Sequence, residues 1–442
     1  MIDTVEDGYR WFESFLAIDR GGYRPRAHRL QRMRGLLARY GDPHRATPVI
    51  HVTGSKGKGS TSAFIAAVLD AAGMRCGVFS SPHVESYRER VRVLDGSLTD
   101  EVAVSLFRRI ERDVDAQRKL VPAAELPTTF ELLTLFGFLA FRRAACDVAV
   151  VEVGMGGRID ATNVVAPIAS VITPIELEHT EYLGTTLRQI AGEKGGVIKA
   201  GSPVFLGRQR GEAETTLRRI ARLRGAPVAT LVESAADLRV TRERARTVVE
   251  CELPPQRAIR ARLRLAGRVQ GDNAALAALV VTTLFPRIPD ATIAHGLETA
   301  WIPGRSEVVP GSPPVLLDGA HTPASIELLC ATAADLEPDR SRRVAIFGSV
   351  RGKDHGAMLS LLAASFPRIV VTRPGTFKAS DLDALAAACR ATGAACRVTE
   401  TAEEALEEAT REPAGLIVVC GSFYLVGEAR AILRTFDHRG MP

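Results

Sequence analysis

Residues 48–62 read P-V-I-H-V-T-G-S-K-G-K-G-S-T-S, an apolar strand run, a glycine-rich turn and the opening of a helix. Val49, Ile50 and Val52 supply the buried strand. Gly54, Gly57 and Gly59 let the backbone turn tightly and come close to a ligand. From Ser60 onward, Ala63, Phe64, Ala66, Ala67, Val68 and Leu69 continue as a helix with apolar faces. A helix N-terminus turns unpaired N–H groups and a positive dipole end toward an anion. Lys58 adds a full charge, and the hydroxyl of Ser60 or Thr61 stands within reach of Mg²⁺. That is the chemistry of a nucleotide triphosphate site. The spacing G-x-x-G-K-G-S is shorter than the common G-x-x-x-x-G-K-[ST], so a plain glycine-rich β–α turn with an exposed lysine is the competing reading.

A chain of 442 residues is too long for one ordinary core, which points to two or three domains. No stretch of apolar residues is long enough to span a membrane, and no apolar leader follows the acidic Asp3, Glu6 and Asp7. Cysteines at 76, 146, 251, 330, 389, 396 and 420 form no C-x-x-C pair. Reduced thiols in a cytoplasmic protein, without a zinc site, are expected. The net charge of +6 is modest for this length and suits an anionic small substrate. No nucleic-acid motif accompanies it, so neither nucleic acid nor membrane is expected as a partner.

Apolar strand runs alternate with helix-period segments, the pattern of a parallel α/β sheet. Helices are expected at residues 4–17, 28–40, 100–118, 129–143 and 272–285, and strands at 75–79, 147–153 and 168–173. Residues 226–265 differ: short strands, with Ile259, Ala261, Leu263 and Leu265 alternating against Arg260, Arg262 and Arg264. That is a half-buried strand whose basic face is solvated. W-I-P-G-R at 301–305 marks a boundary, dividing residues 1–300 from 301–442. Beyond it the alternation restarts, with strands at 314–317, 343–348, 368–372 and 415–420 and helices at 323–336, 379–391, 402–409 and 425–435. A second doubly wound domain follows from that.

Residues 146–163, C-D-V-A-V-V-E-V-G-M-G-G-R-I-D-A-T-N, form a central strand ending on an acid, Glu152. A buried carboxylate is costly without a partner, and in a nucleotide enzyme that partner is Mg²⁺. A dinucleotide-binding turn is the alternative at Gly154, Gly156 and Gly157, but no apolar helix follows, and Asp160 and Asn163 read as loop.

Together, H-V-T-G-S-K-G-K-G-S and V-E-V-G-M-G-G-R-I-D-A-T-N resemble the folylpolyglutamate synthase/dihydrofolate synthase family of the Mur ligase superfamily. The likeness continues through S-S-P-H-V-E-S-Y-R-E-R (80–90), P-T-T-F-E-L-L-T (127–134) and the lysine-bearing segment from E-H-T-E-Y-L-G to V-I-K (178–199). It ends with A-G-R-V-Q-G-D-N-A (266–274), P-G-R (303–305), D-G-A-H-T-P (318–323) and G-S-F-Y-L-V-G-E-A-R (421–430). The resemblance implies a P-loop-type Mur ligase central domain with a mostly parallel sheet, and a C-terminal Rossmann-like α/β domain. Residues 1–300 would then bind ATP and carry the folate side of the cleft, and 301–442 would form the glutamate-ligase domain.

The activity it implies is an ATP- and Mg²⁺-dependent ligase, phosphorylating a carboxylate and passing the acyl group to the amine of L-glutamate. Folate or dihydropteroate would be the acceptor and a monomer the expected state. By resemblance, Gly54, Gly57, Lys58, Gly59, Ser60, Thr61, Asn273, Arg305 and Asp318 match ATP-binding positions. Ser60, Ser81, Glu152, His179 and a carbamylated Lys194 match positions at two Mg²⁺ sites. Lys58, Lys194, His179 and Arg305 carry the catalytic roles. Thr129, Phe130, Glu131, Ile159 and Asp160 match folate-side positions, and His321 and Thr322 the amino-acid end. Bland readings stand beside these: a surface loop for His179, a solvated helix lysine for Lys194, a linker arginine for Arg305, and core for Phe130 and Ile159. Without substrates, the cleft is expected to be open, with Arg305 out of reach of the phosphate loop.

Several positions depart from the family pattern. Lys56 stands in S-K-G-K where T-N-G-K is usual, Glu176 and Glu178 in I-E-L-E-H, Thr322 in D-G-A-H-T-P, and Gly352 in G-K-D. None removes a phosphate or metal group, and several lie near the acceptor or glutamate side. They leave a ligase for a non-folate carboxylate as one alternative. A nucleotide-binding paralogue without turnover is the other, opposed by the complete set Lys58, Glu152, His179, Lys194, Arg305 and Asp318.

Overall fold

The computed structural model describes residues 2–16, 29–122, 125–243, 246–375 and 379–437. Its first sheet takes β1 (Val49–Thr53), β2 (Cys76–Phe79), β3 (Val91–Val93), β4 (Val148–Glu152), β5 (Ala169–Ile172), β6 (Val204–Leu206) and β7 (Val228–Thr230). The order is β3-β2-β4-β1-β5-β6-β7, and every neighbouring pair is parallel except β2 with β3. β1 and β4 are buried along their whole length, as continuous apolar runs in a parallel sheet require. Val52 pairs with both Glu152 and Val171, so β1, β4 and β5 end level with one another.

Helices cover both faces of this sheet. Val5–Glu13, Arg29–Arg39, Asp100–Arg118 and Thr129–Arg143 pack on one side around Phe12, Phe107, Phe136 and Phe141. On the other lies Lys58–Ala71, buried nearly all round between the sheet and the helices Arg268–Leu284 and Asp290–Thr299. The helices cross so closely that a Cβ at Gly296 would sit 2.4 Å from Val68 Cα.

β8 (Ala236–Glu243), β9 (Arg246–Leu253) and β10 (Arg257–Leu263) form an antiparallel meander. Ile259, Ala261 and Leu263 enter the core shared with Lys58–Ala71. The basic face is solvated as expected, with Arg260 paired to Glu243 and Glu250 at 2.6 Å each.

The last sheet takes β11 (Glu307–Val309), β12 (Val315–Leu317), β13 (Arg343–Phe347), β14 (Arg368–Val371), β15 (Ala395–Val398) and β16 (Leu416–Cys420). Its order is β11-β12-β16-β13-β14-β15, parallel except at β11, with separate apolar clusters on its two faces. The fold is therefore a mostly parallel α/β sheet followed by a second doubly wound one.

Differences from the sequence expectation are local. The helix expected at 272–285 begins at Arg268, because its polar first turn, with Gln270 and Asn273, is buried rather than solvated. Phe423–Asp437 likewise starts before 425. Helices Gly211–Leu223, Asp290–Thr299 and His355–Ser365 and the short strands β3, β6, β11 and β15 were not anticipated. Ala17 and His28, at the ends of the two expected N-terminal helices, lie outside the described residues. The seven cysteines are unpaired thiols, and among the described residues no helix is long and apolar enough to cross a membrane.

Arg430 ties the last sheet to the first. Its Nε donates to both Glu307 oxygens at 2.9 Å, and Nη1 donates to Glu85 in the loop after β2. Arg434 donates to the other Glu85 oxygen at 2.9 Å, and the Trp301 ring centroid lies 4.5 Å from the Arg430 guanidinium carbon. Arg430→Met would strand two partly buried carboxylates, a loss of about 3 kcal/mol. Urea denaturation should show a lower midpoint at an unchanged slope, and an unchanged midpoint would deny Arg430 that tethering role.

Candidate active site

β1 runs out at Thr53, and the turn that follows reaches the helix Lys58–Ala71 through Gly57, at φ 81°. No side chain caps that helix, so its first N–H groups are open to an anion. Asn273 closes behind the turn: a Cβ on Gly57 would lie 2.4 Å from its Oδ1. Positive φ and close approach together demand glycine here. Lys58 curls over its own loop, Nζ donating to the Gly54 carbonyl at 2.8 Å. Ser55 is stitched to Glu176 by a pair of hydrogen bonds, its Oγ donating to the carbonyl and accepting from the N–H.

The level ends of β1 and β4 bring Glu152 beside this helix start, its Oε2 3.6 Å from the position of a Cβ on Gly59. Glu152 is fully buried and accepts one hydrogen bond, from the Ser81 N–H at 3.1 Å. Burial pushes its carboxyl above the usual range, against the pull of Lys58 and Arg305. A buried carboxylate with so few donors has the character of a cation ligand. Among the described residues, however, no three His, Cys, Asp or Glu side chains gather to enclose an ion. Ser81, Glu152 and His179 instead line one open cavity together.

Lys194 is 1% exposed, and its Nζ donates to the Gly54 carbonyl at 2.8 Å and to Glu178 at 2.7 Å. Burial, with Lys58 nearby, lowers it to about 8. Burial raises the Glu178 carboxyl, but Lys194, Lys58 and His179 outweigh that and hold it below its usual range. The solvated-lysine reading of Lys194 is thereby excluded. Burial lowers His179 as well, and its backbone is left-handed at φ 47°.

The opposite wall comes from the last sheet. Arg305 lies over the Phe423 ring, 4.2 Å from its centroid. Asp318 accepts from the Ser306 N–H and hydroxyl and from the Ala320 N–H, at 2.8 to 3.0 Å. Burial raises its carboxyl, opposed by Arg305. His321 Nδ1 donates to the Gly319 carbonyl at 2.8 Å, and burial lowers the imidazole to about 4. Thr322 caps the helix Pro323–Leu336 and accepts from Lys56 Nζ at 2.9 Å, a direct bond from the loop after β1 to the helix start after β12. The open cleft expected without substrates is not observed. Arg305 shares a cavity of about 620 Å³ with Lys58, Ser60, Ser81, Glu152, His179, His321 and Thr322.

Gly57 and Gly59 line it too, and the remaining expected positions stand outside it. Thr61 and Asn273 meet each other behind the loop, Thr61 Oγ1 donating at 3.5 Å. Thr129 donates to the Phe12 carbonyl, and Glu131 both caps its own helix and holds Arg32 at 2.8 Å. Phe130 packs on Phe79 and Gly154. Asp160 is buried and organises the loop after β4, accepting from Met155 N–H and from Thr162. Ile159 is half-buried beside it. The cavity adds Arg90, His83, Lys353, Phe423 and Tyr424, which were not singled out from the sequence. Arg90, Lys353 and Tyr424 lie within the motifs at 80–90, 352–354 and 421–430, which were quoted without giving these residues a role.

Two family models match the chain: a Mur ligase middle domain over residues 52–281 and a Mur ligase glutamate ligase domain over residues 304–423. A probable bifunctional folylpolyglutamate synthase/dihydropteroate synthase of Halobacterium salinarum is 37% identical across 89% of this chain and 48% of its own. The chain thus spans about half the length of that relative. A dihydrofolate synthase/folylpolyglutamate synthase of Bacillus subtilis is 34% identical, covering 82% of this chain and 83% of its own. Among solved structures, a Mycobacterium tuberculosis folylpolyglutamate synthase complexed with ADP superposes with a TM-score of 0.87 at 31% identity, over 97% and 98% of the two chains.

Gly57→Ala should destabilise the protein by about 2 kcal/mol through left-handed strain and the Asn273 clash. In a double-mutant cycle, Asn273→Ala should recover part of that loss. Strictly additive effects would mean that Asn273 does not press on the loop.

Proposed function

The chain belongs to the folylpolyglutamate synthase/dihydrofolate synthase family, and we propose that it is an ATP- and Mg²⁺-dependent ligase adding L-glutamate to a folate. Dihydropteroate is a further acceptor of the same chemistry. The observation that carries this reading is one cavity with the phosphate loop and Glu152 on one wall and Arg305, His321 and Thr322 on the other. Residues 1–300 act as the ATP-binding and folate-side unit and 301–442 as the glutamate-ligase unit. The unpaired thiols fit a cytoplasmic enzyme.

A carboxylate is a poor acylating group. An acceptor carboxylate oxygen attacks the γ-phosphorus of ATP, ADP leaves, and an acyl phosphate remains. The glutamate amine adds to that carbonyl, loses a proton, and orthophosphate departs as the amide forms. The protein's task is positioning and charge neutralisation. Lys58 and the first N–H groups of its helix hold the phosphates. Arg305, stacked on Phe423, adds its charge from the other side, and Asp318 and Asn273 support the nucleotide. Ser81, Glu152 and His179 would hold Mg²⁺, which supplies charge neutralisation at the phosphates when bound. Walls from two sheets exclude water that would hydrolyse the anhydride.

Lys194 is the residue for carbamylation. Its neutral amine would attack CO₂ carbon and release a proton, turning a cation into a carboxylate donor. Because its proton is lost near pH 8, carbamate should increase as pH rises through that value, in competition with the Glu178 ion pair. Labelled bicarbonate should give a carbamate carbon resonance that is stronger at alkaline pH and absent in Lys194→Ala. A resonance identical in the variant would dismiss the assignment.

The acceptor is tested by ADP release with L-glutamate and a panel of dihydropteroate, tetrahydrofolate, methylene-tetrahydrofolate and UDP-linked muropeptide precursors. Turnover is expected with a folate or dihydropteroate. Turnover with a muropeptide alone would leave the ligase and discard the folate. Lys58→Ala should fold and lose about 3 kcal/mol or more of transition-state stabilisation, and wild-type rates in that variant would reject the phosphate-loop role.

A further inference from the structure

A second cavity, of about 280 Å³, opens off the first behind the helix Lys58–Ala71. The two share Gly59, Ser81, Pro82, Glu152 and Arg305. Beyond it a third, of about 400 Å³, shares Ala63, Arg92 and Trp301 with the second. The three adjoin one another from the reaction cavity past Arg92 to the boundary segment at Trp301, itself 38% exposed.

Two polar groups in this passage are unused. The Arg92 side chain, on β3, makes no hydrogen bond among the described residues, and its Nε is buried without a partner. Ser62, one turn into the helix and 1% exposed, has a buried hydroxyl with no partner. Of the neighbouring charges, Asp70 lines the third cavity and Glu89 attracts Arg92 through space. Arg88 is paired with Glu6 and Asp100, and Glu89 accepts from the N–H groups of Val84, Glu85 and Ser86. A guanidinium with no hydrogen-bond partner among the described residues, sharing a cavity with an unpartnered hydroxyl, suits a tetrahedral oxyanion. Leaving both unpaired is costly unless something polar visits them.

We propose that Arg92 and Ser62 form an anion subsite in a side passage, taking the orthophosphate released in the reaction cavity and leading it out past Trp301. The inference rests on the ligase reading, because that reaction makes orthophosphate between ADP and the new amide, where both products block the mouth of the cleft. Glu152 borders the entrance, so departure of the anion would follow once the charge around it is screened.

The test is equilibrium dialysis of orthophosphate against the full chain, with a non-hydrolysable ATP analogue in excess to cover the phosphate loop. Saturable binding is expected, weakened about tenfold or more in Arg92→Gln, less in Arg92→Lys, and about threefold in Ser62→Ala, as loss of a charged or a neutral hydrogen bond dictates. In turnover, the inhibition constant for orthophosphate should rise by the same factors. Ser62→Ala decides the matter if Arg92→Gln does not fold. No saturable phosphate binding, or equal affinity in folded variants, overturns the subsite. Arg92-dependent binding in a protein without glutamate-dependent ADP release would keep the subsite and reject the ligase reading instead.

Discussion

The parallel pairing of β1 with β4 and β5, Val52 level with Glu152 and Val171, is the constraint on which the site depends. Strands that end together deliver their loops to one edge of a sheet, which is where open α/β folds bind ligands. From that edge the phosphate loop leaves β1, Glu152 closes β4, and the segment carrying Glu178 and His179 follows β5. Each sits where it does because the apolar interiors of these strands, buried on both faces, allow no other register.

Electrostatics then sets what the edge can do. Lys194, Glu152 and Glu178 are each largely buried, so each depends on its neighbours for its charge. Lys194 illustrates the balance: Glu178 holds it as an ammonium while burial and Lys58 urge its proton away. The outcome of that balance is a lysine lowered to about 8 yet still paired with Glu178. Across the cavity, Arg305 is held by its Phe423 stack, and Lys56 reaches over to Thr322. Lys56 and Thr322, two of the positions that depart from the family pattern, are therefore in direct contact with each other. Sequence reading placed them on opposite sides of the cleft and gave no hint of that bond.

Much of the fold was legible because its signals are strong and local. The run at 49–53, the glycines that follow and the apolar strand ending at Glu152 each carried their own physical reason. The short β3, β6 and β15 gave no pattern to read. Arg268–Leu284 was read short because its polar opening turn is buried against the phosphate loop, a tertiary fact absent from local periodicity. The same holds in the site. Lys58 and Glu152 announce their chemistry through neighbours in sequence, whereas Arg90, Lys353 and Tyr424 reach the cavity only through the fold. Thr129, Glu131 and Asp160 show the reverse: their motif was recognisable, and in the fold Thr129 bonds the Phe12 carbonyl, Glu131 caps its own helix and Asp160 organises the loop after β4.

The central claim is that this cavity transfers a phosphoryl group to a carboxylate before the amide forms. It is tested most directly by following isotopically heavy oxygen placed in the acceptor carboxylate. Transfer through an acyl phosphate requires one labelled oxygen to appear in the orthophosphate for each amide formed. Amide formation with no label in the orthophosphate would contradict the account, whatever the acceptor proves to be.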